Sequence, residues 1–98
     1  GAHFDLLGLS TAKYQDVNKN KWNNIANPKG VIVKKVEPNS VAEENNIQVG
    51  DIIIEIGKSD IIDIPTYKTE LESYTKGDTI MLRILRDNTP LYIAFEIE

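Results

Sequence analysis

The sequence contains no cysteine and only one histidine, His3, at its start. Disulfides, thiolate zinc sites, cysteine nucleophiles and multi-histidine metal sites are therefore excluded. No run of about 18 apolar residues occurs, so we expect no direct membrane insertion. Lys and Arg number 11 against 15 Asp and Glu, a net charge of −4. Because there is also no basic run, we expect no nucleic-acid partner.

The length limits what the chain can enclose. Ninety-eight residues are enough for one domain with a small core, which leaves little room for a buried cofactor, and we expect none. Residues 1–3 lack a methionine and the charged and apolar regions of a signal peptide. We interpret them as a cut, either vector-derived or internal to a longer protein, and expect residues 4–98 to form the single domain.

The first half of the chain contains one clear strand and one short helix. The segment 14–28 is polar and loop-like, with a short helix predicted around Tyr14–Trp22. Val31–Val36 is rich in β-branched residues and predicts a strand. Ser40 followed by Glu43 is the pattern of a capping box, so a short helix should begin there and end near residues 45–46.

The second half predicts further strands around one longer helix. Ile52–Ile56 predicts a strand, and Asp60–Ile64 predicts a minor one. Pro65 suits the first turn of a helix, which the apolar spacing extends over Thr66–Thr75. Residues 79–85 and 91–98 alternate between apolar and polar and flank residues 87–88, which predicts a hairpin. The fold class is therefore α+β: a small antiparallel sandwich or barrel of five to six strands, capped by two helices.

The chain offers little catalytic chemistry. A triad needs a base, and the only histidine stands at the ragged start of the chain. Several carboxylates occur singly at predicted turns and strand ends, where we expect solvated turn and cap residues: Asp51, Asp60, Asp63, Asp78 and Asp87. The sequence therefore predicts that this chain is not an enzyme.

One glycine stands inside an apolar loop, in Leu6-Leu7-Gly8-Leu9. Glycine permits positive φ and close approach of backbone, and successive N–H groups can then form a nest that binds an anion. If the strand that follows, residues 9–12, has a free edge beside a helix, a peptide can join the sheet there with its carboxylate in the nest. A strand start that faces the core is the alternative interpretation.

Three segments resemble one family. Residues 30–42 are similar to the strand–turn–helix segment of PDZ domains, and residues 47–58 to their Gly-Asp-apolar-apolar strand and turn. Residues 80–87 resemble the late strand of the PDZ domains attached to bacterial proteases of the HtrA/DegP type. The order resembles the circularly permuted form found in those proteases, in which a final strand closes the barrel. The resemblance covers roughly residues 5–98.

The resemblance implies a set of site residues. The backbone amides of the loop would hold a peptide carboxylate, the next strand would dock the peptide, and the longer helix would face the groove. By position, the loop residues are Leu6, Leu7, Gly8 and Leu9, and the groove residues are Ser10, Thr11, Ala12, Ile64, Tyr67, Lys68 and Leu71. Tyr67 and Leu71 have an alternative role as core residues. The segment 14–28 either covers or extends the groove.

The resemblance also implies a function and partners. The expected function is a non-catalytic module that binds C-terminal or extended apolar peptides by strand addition, as the substrate-recognition or regulatory domain of an HtrA-like serine protease. Its partners would be peptides, unfolded-protein C-termini and the neighbouring protease domain, in quality control in the bacterial periplasm or cell envelope. The alternative is an assembly module that regulates a parent protease, another PDZ-bearing peptidase or a secretion component without binding free peptide; a small hydrolase is a third reading.

Overall fold

The computed structural model describes residues 3–14 and 29–98. The predicted helix around 14–22 thus lies, apart from its first residue, outside the described residues. Within these residues, six strands and two helices follow one another. They are β1 (Leu9–Lys13), β2 (Val31–Val36), α1 (Val41–Glu44), β3 (Ile52–Ile56), β4 (Ser59–Asp60), α2 (Ile64–Leu71), β5 (Thr79–Arg86) and β6 (Thr89–Glu96).

The strands form one antiparallel sheet in the order β1-β2-β3-β5-β6, with β4 paired to β3. The α+β fold with six strands and two helices is confirmed. The sheet is open, however, and is not a barrel. The final strand, which the resemblance led us to expect as the closing strand, pairs within the described residues with β5 alone. Both β1 and β6 are therefore edge strands.

The hairpin β5–β6 follows the predicted alternation. In β5, Ile80, Leu82 and Ile84 are fully buried, while in β6 Phe95 is buried and Tyr92 is exposed. The strands join through a two-residue turn in which residues 87 and 88 have φ of 51° and 64°. Two positive φ values in succession suit the right-handed twist of the flanking strands. The predicted hairpin is confirmed, and its inner face supplies a large part of the core.

The capping box at α1 is confirmed with one difference. The Ser40 hydroxyl accepts a hydrogen bond from the Glu43 N–H at 3.1 Å. The Glu43 carboxylate accepts in return from the N–H of Asn39, at 2.9 Å, rather than from that of Ser40. The helix ends at Glu44 with Asn45 as its C-cap, and Asn46 follows with a φ of 68°.

Helix α2 is shorter than the apolar spacing predicted. Asp63 accepts from the Thr66 N–H at 2.9 Å and begins the helix, with Pro65 in the first turn as expected. The helix ends at Leu71 and not at residue 75, because the Tyr74 N–H bonds to the carbonyl three residues back in a tighter turn. The predicted minor strand at 60–64 also shifts, to β4, since Asp63 serves as the helix cap.

One carboxylate expected to be solvated is instead buried. Asp51 is 2% exposed, and its two oxygens accept from the Arg86 guanidinium at 2.9 and 2.7 Å. Arg86 also donates to the Asn46 carbonyl, and the Gln48 N–H donates to Asp51. A buried charge is tolerated where it is paired and hydrogen-bonded. Asp51 therefore links the end of β5 to the turn before β3.

Candidate functional site

A groove of about 560 Å³ runs between strand β1 and helix α2 and is called here the β1–α2 groove. Its volume falls in the range of natural ligand sites. Residues from the start of the chain, from β1 and from α2 and the turn after it line the groove. They are His3, Phe4, Asp5, Leu6, Leu9, Ser10, Thr11, Tyr67, Lys68, Leu71, Glu72 and Tyr74.

Strand β1 offers the groove an open edge. Among the described residues it pairs with β2 on one side only. The register with β2 shifts between Ser10 and Thr11, which indicates a bulge beside the groove. Bulges bend a strand and increase its twist, and they are frequent next to functional sites. An edge strand with a helix alongside is the geometry in which an extended peptide joins a sheet.

The Leu6–Leu9 loop is held in shape by the chain around α1. Gly8 has a φ of +89°, and a Cβ added to it would overlap the Ser40 Cβ. Its carbonyl accepts from the Glu37 N–H at 2.8 Å, and the Leu7 carbonyl accepts from the Ala42 N–H at 3.1 Å. The positive φ and the close approach of Ser40 explain why the sequence needs a glycine at this position.

Three amides of the Leu6–Leu9 loop, those of Leu7, Gly8 and Leu9, donate to Asp5. One oxygen of the Asp5 carboxylate, Oδ1, accepts from the N–H groups of Leu7 and Leu9 at 2.9 and 3.0 Å. The Asp5 main-chain carbonyl accepts from the Gly8 N–H at 3.0 Å. The anion nest that the sequence led us to expect thus receives a carboxylate from within the chain. The role of these amides in holding a peptide carboxylate stays a prediction.

The second carboxylate oxygen of Asp5 connects the loop to helix α2. It accepts from the Tyr67 hydroxyl at 2.5 Å, and Tyr67 is only 1% exposed. Burial, and then the neighbouring Asp5 charge, raise the pKa of the Tyr67 phenol far above its ordinary value. Tyr67 therefore keeps its proton at neutral pH and remains a donor to Asp5.

The structure brings most of the predicted site residues to the β1–α2 groove. Seven of them line it: Leu6, Leu9, Ser10, Thr11, Tyr67, Lys68 and Leu71. Leu7 lies in the core, and Gly8 is buried in the loop. Ala12 is half-buried in β1, and Ile64 packs against the core. Tyr67 and Leu71 fill both of the roles considered for them, because they are buried in the core and also line the groove.

Sequence reasoning missed several groove residues. Phe4 lines the groove, and so does His3, which we interpret from the sequence as part of a cut over residues 1–3. Asp5 was not singled out at all. Aspartate side chains often bind the backbone two residues on, which points to the Leu7 amide. The bond to Tyr67 spans 62 positions of the chain and has no local signal.

In residues 3–14 and 29–98, histidine and acidic side chains form no group of three that could hold a metal ion. None of the described helices is long and apolar enough to cross a membrane. The β1–α2 groove, where most of the predicted site residues meet, is the candidate site of this part of the chain.

Comparison with known proteins places this geometry in a family. The PDZ domain model matches residues 6–97. A probable periplasmic serine protease, do/HhoA-like, from Haemophilus influenzae is 35% identical over 68 residues. The match includes 69% of this chain and 14% of that protein, so the chain spans about a seventh of the curated relative.

Solved structures with the same fold include two bound to peptides. The HtrA3 PDZ domain bound to a phage-derived ligand, FGRWV, superposes with a TM-score of 0.73 at 21% identity, over 94% of this chain and 83% of that one. The HtrA-type protease AlgW with a decapeptide superposes with a TM-score of 0.74 at 19% identity, over 92% of this chain and 27% of that one.

Proposed function

The chain belongs to the PDZ domain family, and we propose that it is a non-catalytic module that binds peptides in the β1–α2 groove. The ligands are C-terminal or extended apolar segments that add a strand to β1. The observation that carries the proposal is the groove itself, in which an edge strand and a helix face one another with a loop at the start of the strand. The peptide-bound HtrA structures support a peptide as the ligand.

The groove supplies two kinds of contact. The free edge of β1 offers backbone N–H and C=O groups to an extended chain, whatever its sequence. Leu9 and Leu71 line the groove with apolar side chains that are mostly buried, and Ser10 and Thr11 add hydroxyl groups. Because one short strand and one pocket form a small contact, we expect dissociation constants of about micromolar size.

The likeness to a periplasmic serine protease supports a proposal for the host. The domain would recognise substrates for, or regulate, an HtrA-like protease in the bacterial periplasm or cell envelope. Its partners would be unfolded-protein C-termini or extended segments and the neighbouring protease domain.

A titration followed by NMR tests the binding mode. An apolar heptapeptide is prepared with a free C-terminal carboxylate and with a C-terminal amide, and each form is added to the ¹⁵N-labelled chain. Binding of either form should shift the amide signals of β1 and of residues 67–71 and slow hydrogen exchange in β1 by about tenfold or more. The signals of β6, the other edge strand, should stay in place and serve as the internal control.

Two results would contradict the proposal. One is shifts concentrated on β6 or on the outer face of the β5–β6 hairpin, which would move the site to the other edge. The other is the absence of any shift with either peptide up to millimolar concentration. That second result, together with docking of the domain onto a protease domain, would favour the assembly module.

A further inference from the structure

Asp5 occupies the place of a ligand's last residue, if the proposed function holds. A peptide that joined β1 and ended at the Leu6–Leu9 loop would offer one backbone N–H to the strand and one carboxylate to the loop amides. Asp5 offers both groups. Its N–H donates to the Leu9 carbonyl at 3.0 Å, and its carboxylate accepts from the N–H groups of Leu7 and Leu9 at 2.9 and 3.0 Å.

A second carboxylate has little to gain at this loop. The amide donors that would receive it already bond to Asp5. Two carboxylates at one small site repel each other, so one of them must leave or take up a proton. If a free C-terminus displaces Asp5, it replaces one set of charge-assisted hydrogen bonds by another, and the exchange yields no net bond.

Displacement of Asp5 also affects helix α2. The Tyr67 hydroxyl is buried and donates to Asp5 at 2.5 Å. When Asp5 leaves, this hydroxyl loses its partner, and a buried polar group without a partner is destabilising. The bond to Tyr67 therefore favours retention of Asp5 in the loop when a ligand arrives.

The rest of the groove remains open to a ligand that leaves Asp5 in place. Ser10, Thr11 and Lys68 line the groove beyond the loop, and β1 continues to Lys13. A chain that pairs with β1 from Ser10 onward and leaves the groove before the loop breaks none of the bonds of Asp5. Such a segment needs no free C-terminus.

From these contacts we propose that Asp5 determines the ligand class of this domain. It acts as a built-in substitute for the ligand carboxylate, so the groove binds internal, extended apolar segments of polypeptide as well as chain ends, without preference for a free C-terminal carboxylate. Removal of the Asp5 carboxylate frees the amides of Leu7 and Leu9 and creates that preference.

The test compares the acid and amide forms of one apolar heptapeptide by calorimetry. With the unaltered chain, the two dissociation constants should agree within about twofold. With Asp5→Ala, the acid form should bind about tenfold more tightly than the amide form, because the loop amides become available. Asp60→Ala is the matched control: it removes an exposed carboxylate outside the groove and should leave the ratio unchanged.

A second variant separates recognition from folding. Asp5→Ala leaves the buried Tyr67 hydroxyl without its acceptor, which destabilises the domain. The double variant Asp5→Ala with Tyr67→Phe removes both groups, so no polar atom of that pair stays buried alone. Circular dichroism first establishes that each variant is folded. We expect the double variant to show the same preference for the acid form as the single variant.

The possible outcomes distinguish this inference from the proposed function. A preference of about tenfold for the acid form by the unaltered chain would overturn the inference and leave peptide binding established. A second result would also overturn the inference: the unaltered chain binds neither peptide, and Asp5→Ala binds the acid form alone. Asp5 would then close the groove to all ligands. If neither peptide binds to any of the folded variants, the proposed function itself fails, and the inference fails with it.

Discussion

Strands β1 and β6 stand at the two ends of the strand order of the described sheet, and β1 borders the β1–α2 groove. Strand β1 has five residues, helix α2 lies beside it, and its register contains a bulge. Strand β6 has eight residues that all pair regularly with β5. Pro90, near the start of β6, lacks an N–H, and Glu96 at its end is exposed. Within the described residues, β6 contributes nothing to the β1–α2 groove.

The difference teaches that an unpaired edge alone does not make a peptide site. Proline and charged side chains protect edge strands against pairing with another chain, and β6 carries both. At β1, in contrast, helix α2 forms the second wall of the groove and the Leu6–Leu9 loop lies at the start of the strand. The β5–β6 hairpin mainly supplies core, whereas β1 would supply the contacts of the proposed peptide site. Three substitutions separate these two contributions.

The largest effect is expected at the Leu6–Leu9 loop. Gly8→Ala places a Cβ against Ser40 at a φ of +89°, and we expect this strain and overlap to lower the free energy of unfolding by about 3 kcal/mol. Denaturation with urea measures it. Gly77→Ala is the control, because Gly77 has a φ of +98° but nothing within 4 Å of an added Cβ. Gly77→Ala should lower the free energy of unfolding by only about 1 kcal/mol.

Peptide affinity should fall with Gly8→Ala and not with Gly77→Ala, because only the first distorts the loop at the start of β1. Equal loss of stability in the two variants would show that Ser40 moves aside. In that case the contact between the loop and α1 would not determine the shape of the loop.

A smaller effect on stability, with none on binding, is expected at the other edge. Asn88 lies in the hairpin turn with a φ of 64°, which a β-branched residue adopts only with strain. Asn88→Val should lower the free energy of unfolding by about 1.5 kcal/mol, and Asn88→Gly should be neutral or stabilising. Peptide affinity, measured by calorimetry, should be unchanged in both. A loss of affinity in folded Asn88→Val would show that the two edges are coupled.

The smallest effect is expected from one exposed side chain of α2. Lys68 lines the β1–α2 groove, while its exposed neighbour Thr69 does not. Lys68→Ala should weaken peptide binding by about twofold to fivefold, because the stem of the side chain covers the ligand only at the rim. Thr69→Ala should have no effect. Equal effects from both would argue against a ligand in the groove.

The sequence predicted those parts of the fold that depend on local patterns. Alternation over the last two strands gave both faces of the β5–β6 hairpin correctly. The capping pattern placed the start of α1, and Pro65 marked the first turn of α2. The predicted end of α2 was too far along the chain. Tyr74 follows Leu71 by three residues, a spacing that suits both an α-helix and the tighter turn that the structure shows. Periodicity alone does not distinguish a helix from such a turn.

The candidate site was predictable where a resemblance supplied the positions. The loop, β1 and α2 came from the family pattern, and seven of the predicted residues line the groove. Asp5 could not be found in this way, because its role depends on one carboxylate that meets loop amides and a distant tyrosine at once. Asp51 was misjudged for a similar reason, since its partner Arg86 lies 35 residues away.

The hydrogen bonds of the Leu6–Leu9 loop to α1 and to the turn before it affect the entropy change on association. Glu37 and Ala42 donate to the carbonyls of Gly8 and Leu7, and the loop amides already have an acceptor in Asp5. The loop thus has its final conformation before a ligand arrives. A ligand gives up its own freedom on binding, but it need not order this part of the protein. Preorganisation of this kind would help the small contact of the proposed function, mostly of backbone with backbone, to yield a useful affinity.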